Sequence, residues 1–139
     1  MAGFSSNSIY DNVISELYTT FGLNIPIDRH GHYHLFGVEI IPAYTGTKRG
    51  IGTIRGMTSY GAYVNEASLS TQEVFQEIIQ RCSFEGVRII ADTNPDNPEH
   101  WLKKDYIDHL KAITPSGMYY DRSILGLLGF RRGCCVSRL

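Results

Sequence analysis

The chain has 139 residues, of which 42 % are hydrophobic and 19 % are charged, and these values are ordinary for one globular domain with a real core. The formal net charge of −1 gives no overall attraction to nucleic acid, although a local basic patch can still bind phosphate. The longest apolar run, ILGLLGF at residues 124–130, is far shorter than the roughly 20 residues that cross a bilayer.

The first half of the chain predicts a helix, two strands and a loop. Apolar residues recur at near-helical spacing from Ile9 onward, and Gly22 follows where a helix commonly ends. Segment 32–44, HYHLFGVEIIPAY, predicts two short strands about Gly37. Segment 45–59 has four glycines and three cations without an acid, so we predict a flexible basic loop. The apolar stripe of the helix is Ile9, Val13, Leu17 and Phe21.

The second half alternates strands with helices. Residues 61–64 form a short apolar run, and a helix follows with a capping box from Ser70 to Glu73. Segment 86–92, GVRIIAD, is β-branched and apolar, as in a strand buried within a parallel sheet. The stripe of the intervening helix is Val74, Ile78 and Cys82.

A last helix is predicted from Asn97 as the cap and Pro98 at the first position. Strands that alternate with helices of this length favour an α/β layered fold with a mainly parallel sheet.

Two strands end in polar residues, and side chains at adjacent carboxyl ends of parallel strands can converge on one ligand. Glu66 could deprotonate a water, Asn65 could hold a Mg²⁺-bound water, and Thr93 and Asn94 could sense a phosphate oxygen. The alternative is that Asn65-Glu66 and the cluster after Asp92 are ordinary strand-to-helix turns. Spacing alone favours the turns.

Two longer stretches resemble a known family. TIRGMTSYGAYVNEASLSTQEVFQEIIQR at 53–81 and VRIIADTNPDNPEHWLKKDYID at 87–108 resemble the ATPase domain of tailed-bacteriophage terminase large subunits, of the PBSX/terminase-like type. In that family a strand of the kind GAYVDE is the Walker B motif, and a TNPDNPxHWLKKDYID segment follows. SGMYYDRSILGL at 116–127 resembles the segment that leads out of the domain. The resemblance implies a partial RecA-like fold (a P-loop NTPase of the ASCE type), with a mainly parallel sheet flanked by helices.

The resemblance also implies roles for single residues. Glu66 falls on the catalytic glutamate that activates water, and Asn65 falls on the Walker B aspartate that supports Mg²⁺. Thr93 and Asn94 fall on the motif that couples the state of the phosphate to movement. Arg55 lies where some members carry an arginine that reaches a neighbouring subunit's nucleotide, a role that suits its planar cation. The alternative for Arg55 is a surface arginine.

The family's activity supplies the expected function. A terminase large subunit is the ATP-hydrolysing motor that packages double-stranded viral DNA into the procapsid. The resemblance therefore implies ATP and Mg²⁺ as cofactors. It implies DNA, the portal protein, the small terminase subunit and a homo-oligomeric ring as partners. The expected location is the bacterial host cytoplasm at the procapsid portal, with no membrane.

Two departures from the family pattern count against ATP binding by this chain alone. No GxxxxGK[ST] occurs, so the backbone cradle and the lysine for the phosphates are missing. The family carries that motif upstream of the region where this chain begins. Asn65 replaces an acid, and a neutral amide is a poorer partner for Mg²⁺ than a carboxylate.

These departures shape the expected domain organisation. We expect a partial ATPase domain at 1–128 that lacks the Walker A region, an atypical tail at 129–139, and no nuclease domain. The tail GFRRGCCVSRL suggests a frameshift or a truncation. The alternative function is a catalytically inactive prophage remnant. Another RecA-like DNA motor is a weaker alternative, because the TNPDNPEHW segment argues against it.

Other features have two interpretations each. His30, His32 and His34 alternate and could present three imidazoles to a metal, but no cysteine or acid accompanies them in sequence, which favours an exposed hairpin edge. The basic loop could touch DNA backbone or face solvent. Neither a disulfide framework nor a zinc spacing is present, since the cysteines are Cys82 and the adjacent pair at 134–135. The N-terminus has no signal-peptide pattern, so the cytosol is expected.

Overall fold

The computed structural model describes residues 1–94, 97 and 99–108 of the chain. The strands are β1 (Ala2–Gly3), β2 (Tyr33–Leu35), β3 (Val38–Ile40), β4 (Ala43–Tyr44), β5 (Gly61–Val64) and β6 (Arg88–Ala91). The helical segments are Ser6–Ile9, Tyr10–Ile14, Ser15–Phe21, Gly50–Ile54, Ala67–Leu69, Gln72–Arg81 and Leu102–Ile107. None of the described helices is long and apolar enough to cross a membrane.

The main sheet has four strands in the order β4-β1-β5-β6, and every neighbouring pair is parallel. The predicted α/β fold with a mainly parallel sheet is confirmed. Strands β2 and β3 form a separate antiparallel hairpin. Its two-residue turn, Phe36 and Gly37, has positive φ at both positions, 51° and 78°, as a type I′ turn requires. The predicted pair of strands about Gly37 is therefore confirmed.

A core of small and branched apolar side chains joins the sheet to its helices. Val64 on β5 and Val74 on the Gln72–Arg81 helix are fully buried, and Ile78 and Cys82 lie on the same buried stripe, as predicted. Full burial of one such aliphatic side chain contributes about 1.5–3 kcal/mol. The buried members of the cluster are Ala2, Ala43, Ile54, Val64, Ala67, Val74, Phe75, Ile78, Ala91 and Leu102.

The first helix is confirmed, but its buried stripe is shifted. The helical run ends at Gly22, whose φ of 65° is left-handed as expected of a glycine cap. Ile9 and Ile14 are buried, whereas Phe21 is 67 % exposed. The shift has a local cause, because Tyr10–Ile14 is π-helical and a π turn brings residues five apart onto one face.

The predicted capping box is wrong. The helix begins at Gln72 with Thr71 as its N-cap, and no side chain makes a capping hydrogen bond there. Ser70 Oγ instead donates to Thr45 Oγ1 across the core, at 2.8 Å. The Ser70 hydroxyl, which the sequence pattern predicted would cap the helix, is therefore bonded to a residue distant in sequence, Thr45.

The last helix starts later than predicted. The helical run begins at Trp101, not at residue 98. Asn97 Oδ1 accepts the backbone N–H of Glu99 at 2.9 Å, so its capping group closes a turn before the helix. Pro98, the predicted first residue, lies outside the described residues.

The prediction that segment 45–59 is a flexible loop is wrong in its middle. Gly50–Ile54 is a short helix, and Ile54 is buried in the core. Lys48 pairs with Glu73 at 2.8 Å, and Arg55 lies 3.7 Å from Glu77. The high glycine content suggested a loop, but the buried Ile54 packs on the Gln72–Arg81 helix.

Strand β6 is present as predicted, but it is less buried than expected. Ile90 is 47 % exposed and Arg88 is exposed. Within the part of the chain that the structure describes, β6 pairs with β5 alone and forms an edge of the sheet. A strand with one neighbour has one uncovered side, which explains the exposure.

Several predictions concern residues 109–139, which lie outside the described residues. They include the SGMYYDRSILGL segment, the atypical tail at 129–139 and the Cys134-Cys135 pair. The expected division of the chain at residue 128 therefore stays a prediction.

Candidate functional site

The carboxyl ends of β5 and β6 lie side by side. Val64 and Ala91, the last residues of the two strands, are register partners in a parallel pair. The backbone N–H of Asp92 donates to the Val64 carbonyl at 3.0 Å, and the N–H of Ala67 donates to the Asp92 carbonyl at 2.8 Å. The polar residues after the two strands are thereby held at one edge, as the sequence predicted.

The Asp92 carboxylate is the centre of this edge. Its Oδ1 accepts the backbone N–H of Glu66 at 2.6 Å, and both of its oxygens lie 3.3 Å from Asn65 Nδ2. The Tyr63 hydroxyl donates to Oδ2. The sequence placed Asp92 in a polar cluster but indicated no role for it. The available signal was its position directly after an apolar strand.

Asn65 is 6 % exposed and both ends of its amide have partners. Its Nδ2 donates to Asp92, and its Oδ1 accepts from Asn12 Nδ2 at 3.2 Å. An aspartate at this position would put a second carboxylate against Asp92, and like charges at that distance oppose ionisation of both. The amide therefore suits a site whose central acid, the half-buried Asp92, follows the neighbouring strand.

Glu66 has an unusual backbone. Its φ of 51° and ψ of 57° are left-handed, a conformation that costs a residue other than glycine about 1–3 kcal/mol. The bond from its N–H to Asp92 holds that conformation. The Glu66 side chain is half-buried, and its Oε2 accepts from Asn12 Nδ2 at 3.4 Å. A partly exposed carboxylate on a fixed backbone is able to take a proton from a water.

Asn12 is a site residue that the sequence did not reveal. It lies on the π-helical stretch of the first helix, 53 residues before Asn65, and its amide reaches both Asn65 and Glu66. No local pattern marks it, because its neighbours in sequence are ordinary helix-surface residues. Only the packing of the first helix on β1, the neighbour of β5 in the sheet, brings it to the strand ends.

Thr93 and Asn94 follow Asp92 at the same edge but are bonded to each other. Thr93 Oγ1 donates to the Asn94 carbonyl at 3.2 Å, and Asn94 is exposed. Their expected role in sensing a phosphate stays a prediction.

Arg55 lies on another part of the surface, directly after the Gly50–Ile54 helix. Its side chain is 69 % exposed, and its Nε is 3.7 Å from Glu77 Oε2. Glu77 also accepts from Arg81 at 2.6 Å, so it is shared between two cations. Arg55 is thus engaged with the Gln72–Arg81 helix rather than with Glu66, and its action on a neighbouring subunit's nucleotide stays a prediction.

The donor atoms at the strand ends fit a hard cation. Glu66 and Asp92 offer carboxylate oxygens and Asn65 offers an amide oxygen, which are the ligand types that Mg²⁺ takes, usually with several waters retained. Support of Mg²⁺ by Asn65 through a bound water stays a prediction. The sequence contains no GxxxxGK[ST] loop to hold phosphates beside these donors.

The pKa of Tyr63 gives a test of this geometry. Burial, and then the hydrogen bond to Asp92 and its negative charge, raise that pKa to about 12 from the ordinary value of 10.0. The raised pKa stabilises the fold below pH 10, and this contribution is lost as the pH rises through 12. The absorbance of tyrosinate, titrated in the parent chain and in Tyr63→Phe, should differ by one group with a midpoint near 12. A difference curve centred on the ordinary value would contradict the Tyr63–Asp92 contact.

Comparison with known proteins gives structural matches only. No model of a protein family matches the sequence, and no curated protein matches it. The large terminase of a thermophilic bacteriophage matches with a TM-score of 0.68 and 19 % identity over 87 % of this chain. The same protein in complex with ADP matches with a TM-score of 0.66 and 23 % identity over 81 % of this chain. In complex with ATP-γ-S it matches with a TM-score of 0.64 and 22 % identity over 91 % of this chain.

These matches cover 38 %, 29 % and 38 % of the terminase chains, so the chain spans about a third of their length. They agree with the resemblance that the strand-end motifs suggested. The chain has the RecA-like α/β fold of phage large terminases.

Proposed function

We propose that this chain is a portion of the ATP-hydrolysing motor of a phage terminase large subunit, which packages double-stranded viral DNA into the procapsid. The observation that carries the proposal is the meeting of Asn65, Glu66 and Asp92 at the carboxyl edge of a parallel sheet with the large-terminase fold. The ADP and ATP-γ-S complexes of the structurally similar terminase support a nucleotide as the ligand of this edge.

In the proposed mechanism Glu66 is the general base. Its carboxylate accepts a proton from the water that attacks the γ-phosphate, a role for which a half-exposed acid on a fixed backbone is suited. Asn12 donates to one carboxylate oxygen and orients it. Mg²⁺, when bound with ATP, supplies positive charge at the phosphate oxygens.

The residues around Glu66 position it. Asp92 fixes the Glu66 backbone and supplies the negative charge that Asn65 lacks, and Asn65 orients the Asp92 carboxylate through its amide. Thr93 and Asn94, which directly follow Asp92, would respond to the γ-phosphate. Arg55 would act on the nucleotide of a neighbouring subunit, and its exposure leaves it accessible for that role.

The proposed partners follow from the whole terminase. They are double-stranded DNA, the portal protein, the small terminase subunit and further copies in a ring, in the host cytoplasm at the procapsid. The cations of the 45–59 segment are partly committed within the chain, since Lys48 pairs with Glu73 and Arg55 lies beside Glu77. DNA contact by this segment would therefore exchange these acids for phosphates.

A second candidate function is a catalytically inactive prophage remnant. The amide of Asn65, where the family pattern has an acid, favours it, because a neutral amide is a poorer partner for Mg²⁺ than a carboxylate. The two candidate functions predict different results when a phosphate-binding loop is added: the motor portion should hydrolyse ATP, and the remnant should not.

The test is Mg²⁺-dependent ATP hydrolysis by the 139-residue chain, alone and preceded by a large-terminase segment that carries the GxxxxGK[ST] loop. We expect turnover in the extended protein and little in the chain alone. The control is the extended protein with the loop lysine replaced by alanine, which should be inactive. Lack of turnover in a folded extended protein would favour the remnant.

A further inference from the structure

A second polar cluster lies on the β2–β3 hairpin and the turn that precedes it. His34 and Glu39 are direct cross-strand partners, so their side chains are on the same face. Asp28 lies in the turn before β2 and reaches the same place. One ligand atom from each of Asp28, His34 and Glu39 lies within 4.8 Å of the other two.

Asp28 is fixed by the backbone of its own turn. Its Oδ1 accepts the N–H of His30 at 2.8 Å and of His32 at 3.0 Å, while its N–H donates to the His32 carbonyl at 2.9 Å. These bonds occupy Oδ1 and leave Oδ2 directed at His34 Nε2, 3.2 Å away. One acid ligand is therefore already oriented toward an imidazole.

His32 contacts the cluster through Glu39, whereas His30 makes its contact elsewhere. His32 Nδ1 lies 2.7 Å from Glu39 Oε1. His30 lies in the turn, where its Nε2 accepts from Arg29 Nε at 3.1 Å. The favoured sequence interpretation, an exposed hairpin, is confirmed, whereas the alternative of three imidazoles on one strand face is wrong. The fold brings two acids, Asp28 and Glu39, beside His34.

We propose that Asp28, His34 and Glu39, with water as the fourth ligand, bind a divalent transition-metal cation of the Zn²⁺ class. Imidazole nitrogens mixed with carboxylate oxygens suit Zn²⁺, whereas Mg²⁺ and Ca²⁺ prefer oxygen alone. A tetrahedral ion with bonds of about 2.0–2.1 Å needs donors about 3.3 Å apart. The three ligand atoms lie within 4.8 Å of one another, so they must approach by up to about 1.5 Å, which rotation of partly exposed side chains supplies.

The bound ion would be structural. It would tie the turn at Asp28 to both strands of a hairpin that, among the described residues, packs on a small cluster formed with Ile25 and the first helix. The unfolded chain has no preformed site, so the free energy of metal binding adds to the free energy of folding. Metal binding is therefore expected to raise the thermal stability of the hairpin.

The test is a calorimetric titration of the untagged full chain with ZnCl₂, compared with His34→Ala, Glu39→Gln and His30→Ala. We expect saturable binding of one ion. Mutation of a group that only hydrogen-bonds to a metal ligand typically lowers metal affinity by about ten- to a hundredfold. Loss of a ligand itself, in His34→Ala or Glu39→Gln, should therefore weaken binding by at least about tenfold. His30→Ala, the matched control on the same turn, should change affinity by less than about twofold, because His30 is outside the cluster.

Thermal unfolding with and without ZnCl₂ supplies a second measurement. Zn²⁺ should raise the melting temperature of the parent chain and of His30→Ala, but not that of Glu39→Gln. Glu39→Gln keeps the size of the side chain, so it tests the site even if His34→Ala fails to fold. Absence of saturable binding, or an equal loss in His30→Ala and Glu39→Gln, would overturn the proposal.

Discussion

Glu66→Gln should reduce Mg²⁺-dependent ATP turnover by at least about a hundredfold in the chain preceded by a phosphate-loop segment, with little change in nucleotide affinity. The amide has nearly the same size as the carboxylate but cannot accept the proton of the attacking water. The backbone bond from residue 66 to Asp92 does not involve the side chain, so the local conformation should persist. The kinetic constants kcat and KM, measured on the same preparations, would separate these effects.

The control for this prediction is Glu73→Gln. Glu73 is exposed on the following helix, and its carboxylate pairs with Lys48, which lowers its pKa. The substitution removes one negative charge, as Glu66→Gln does, but leaves the strand ends intact. Its turnover should stay within about twofold of the parent, since an exposed ion pair contributes little. Full turnover by Glu66→Gln would return Asn65-Glu66 to the interpretation as an ordinary turn.

Gly50→Ala should destabilise the fold by at least about 3 kcal/mol. A Cβ on Gly50 would lie 1.9 Å from the carbonyl oxygen of Tyr44, a backbone atom that cannot rotate away. The close approach of Gly50 to Tyr44 also affects the strand-end site. Thr45, next to Tyr44, accepts hydrogen bonds from Ser70 and Thr71, which follow the strand end of β5 by a few residues. A glycine-to-alanine change within a helix usually stabilises it, so the expected sign is the reverse of the general rule.

Gly52→Ala in the same short helix is the matched control. Among the residues that the structure describes, nothing beyond its chain neighbours and the backbone of the same helix lies within 4 Å of a Cβ at Gly52, so the change should be neutral or stabilise by up to about 1 kcal/mol. Urea unfolding of the two variants gives the free energies to compare. Equal effects from both would show that the Gly50–Ile54 helix does not pack on Tyr44 as described.

The strand ends could be predicted because their cause is local. Apolar runs before Asn65 and Asp92 identify two strands, and parallel pairing places their carboxyl ends at one edge. The role of Asp92 as acceptor for Glu66 and Tyr63 depends on strand register and side-chain direction. The apolar pattern of the sequence indicates neither. Asn12 depends on packing across 53 residues and left no signal at all.

The errors arose where a distant partner replaced a local one. The Ser70 hydroxyl binds Thr45 rather than the helix end, and Ile54 gives a glycine-rich segment a buried anchor. Strands β1 and β4, with two residues each, are too short to show any periodicity. The contact of Asp28 with His34 depends on the turn between them, which the alternation of histidines does not indicate.

The left-handed backbone of Glu66 also limits which substitutions this position can explore. Branching at Cβ is strongly disfavoured at a φ of 51°, so valine, isoleucine and threonine are selected against before any chemistry is considered. Asparagine, aspartate and glycine suit the backbone but place no carboxylate at the reach of glutamate. The backbone conformation and the proposed catalytic role thus restrict residue 66 independently, and few amino acids satisfy both requirements. In a saturation library, the abundance of folded protein and its turnover would rank the amino acids at residue 66 in different orders.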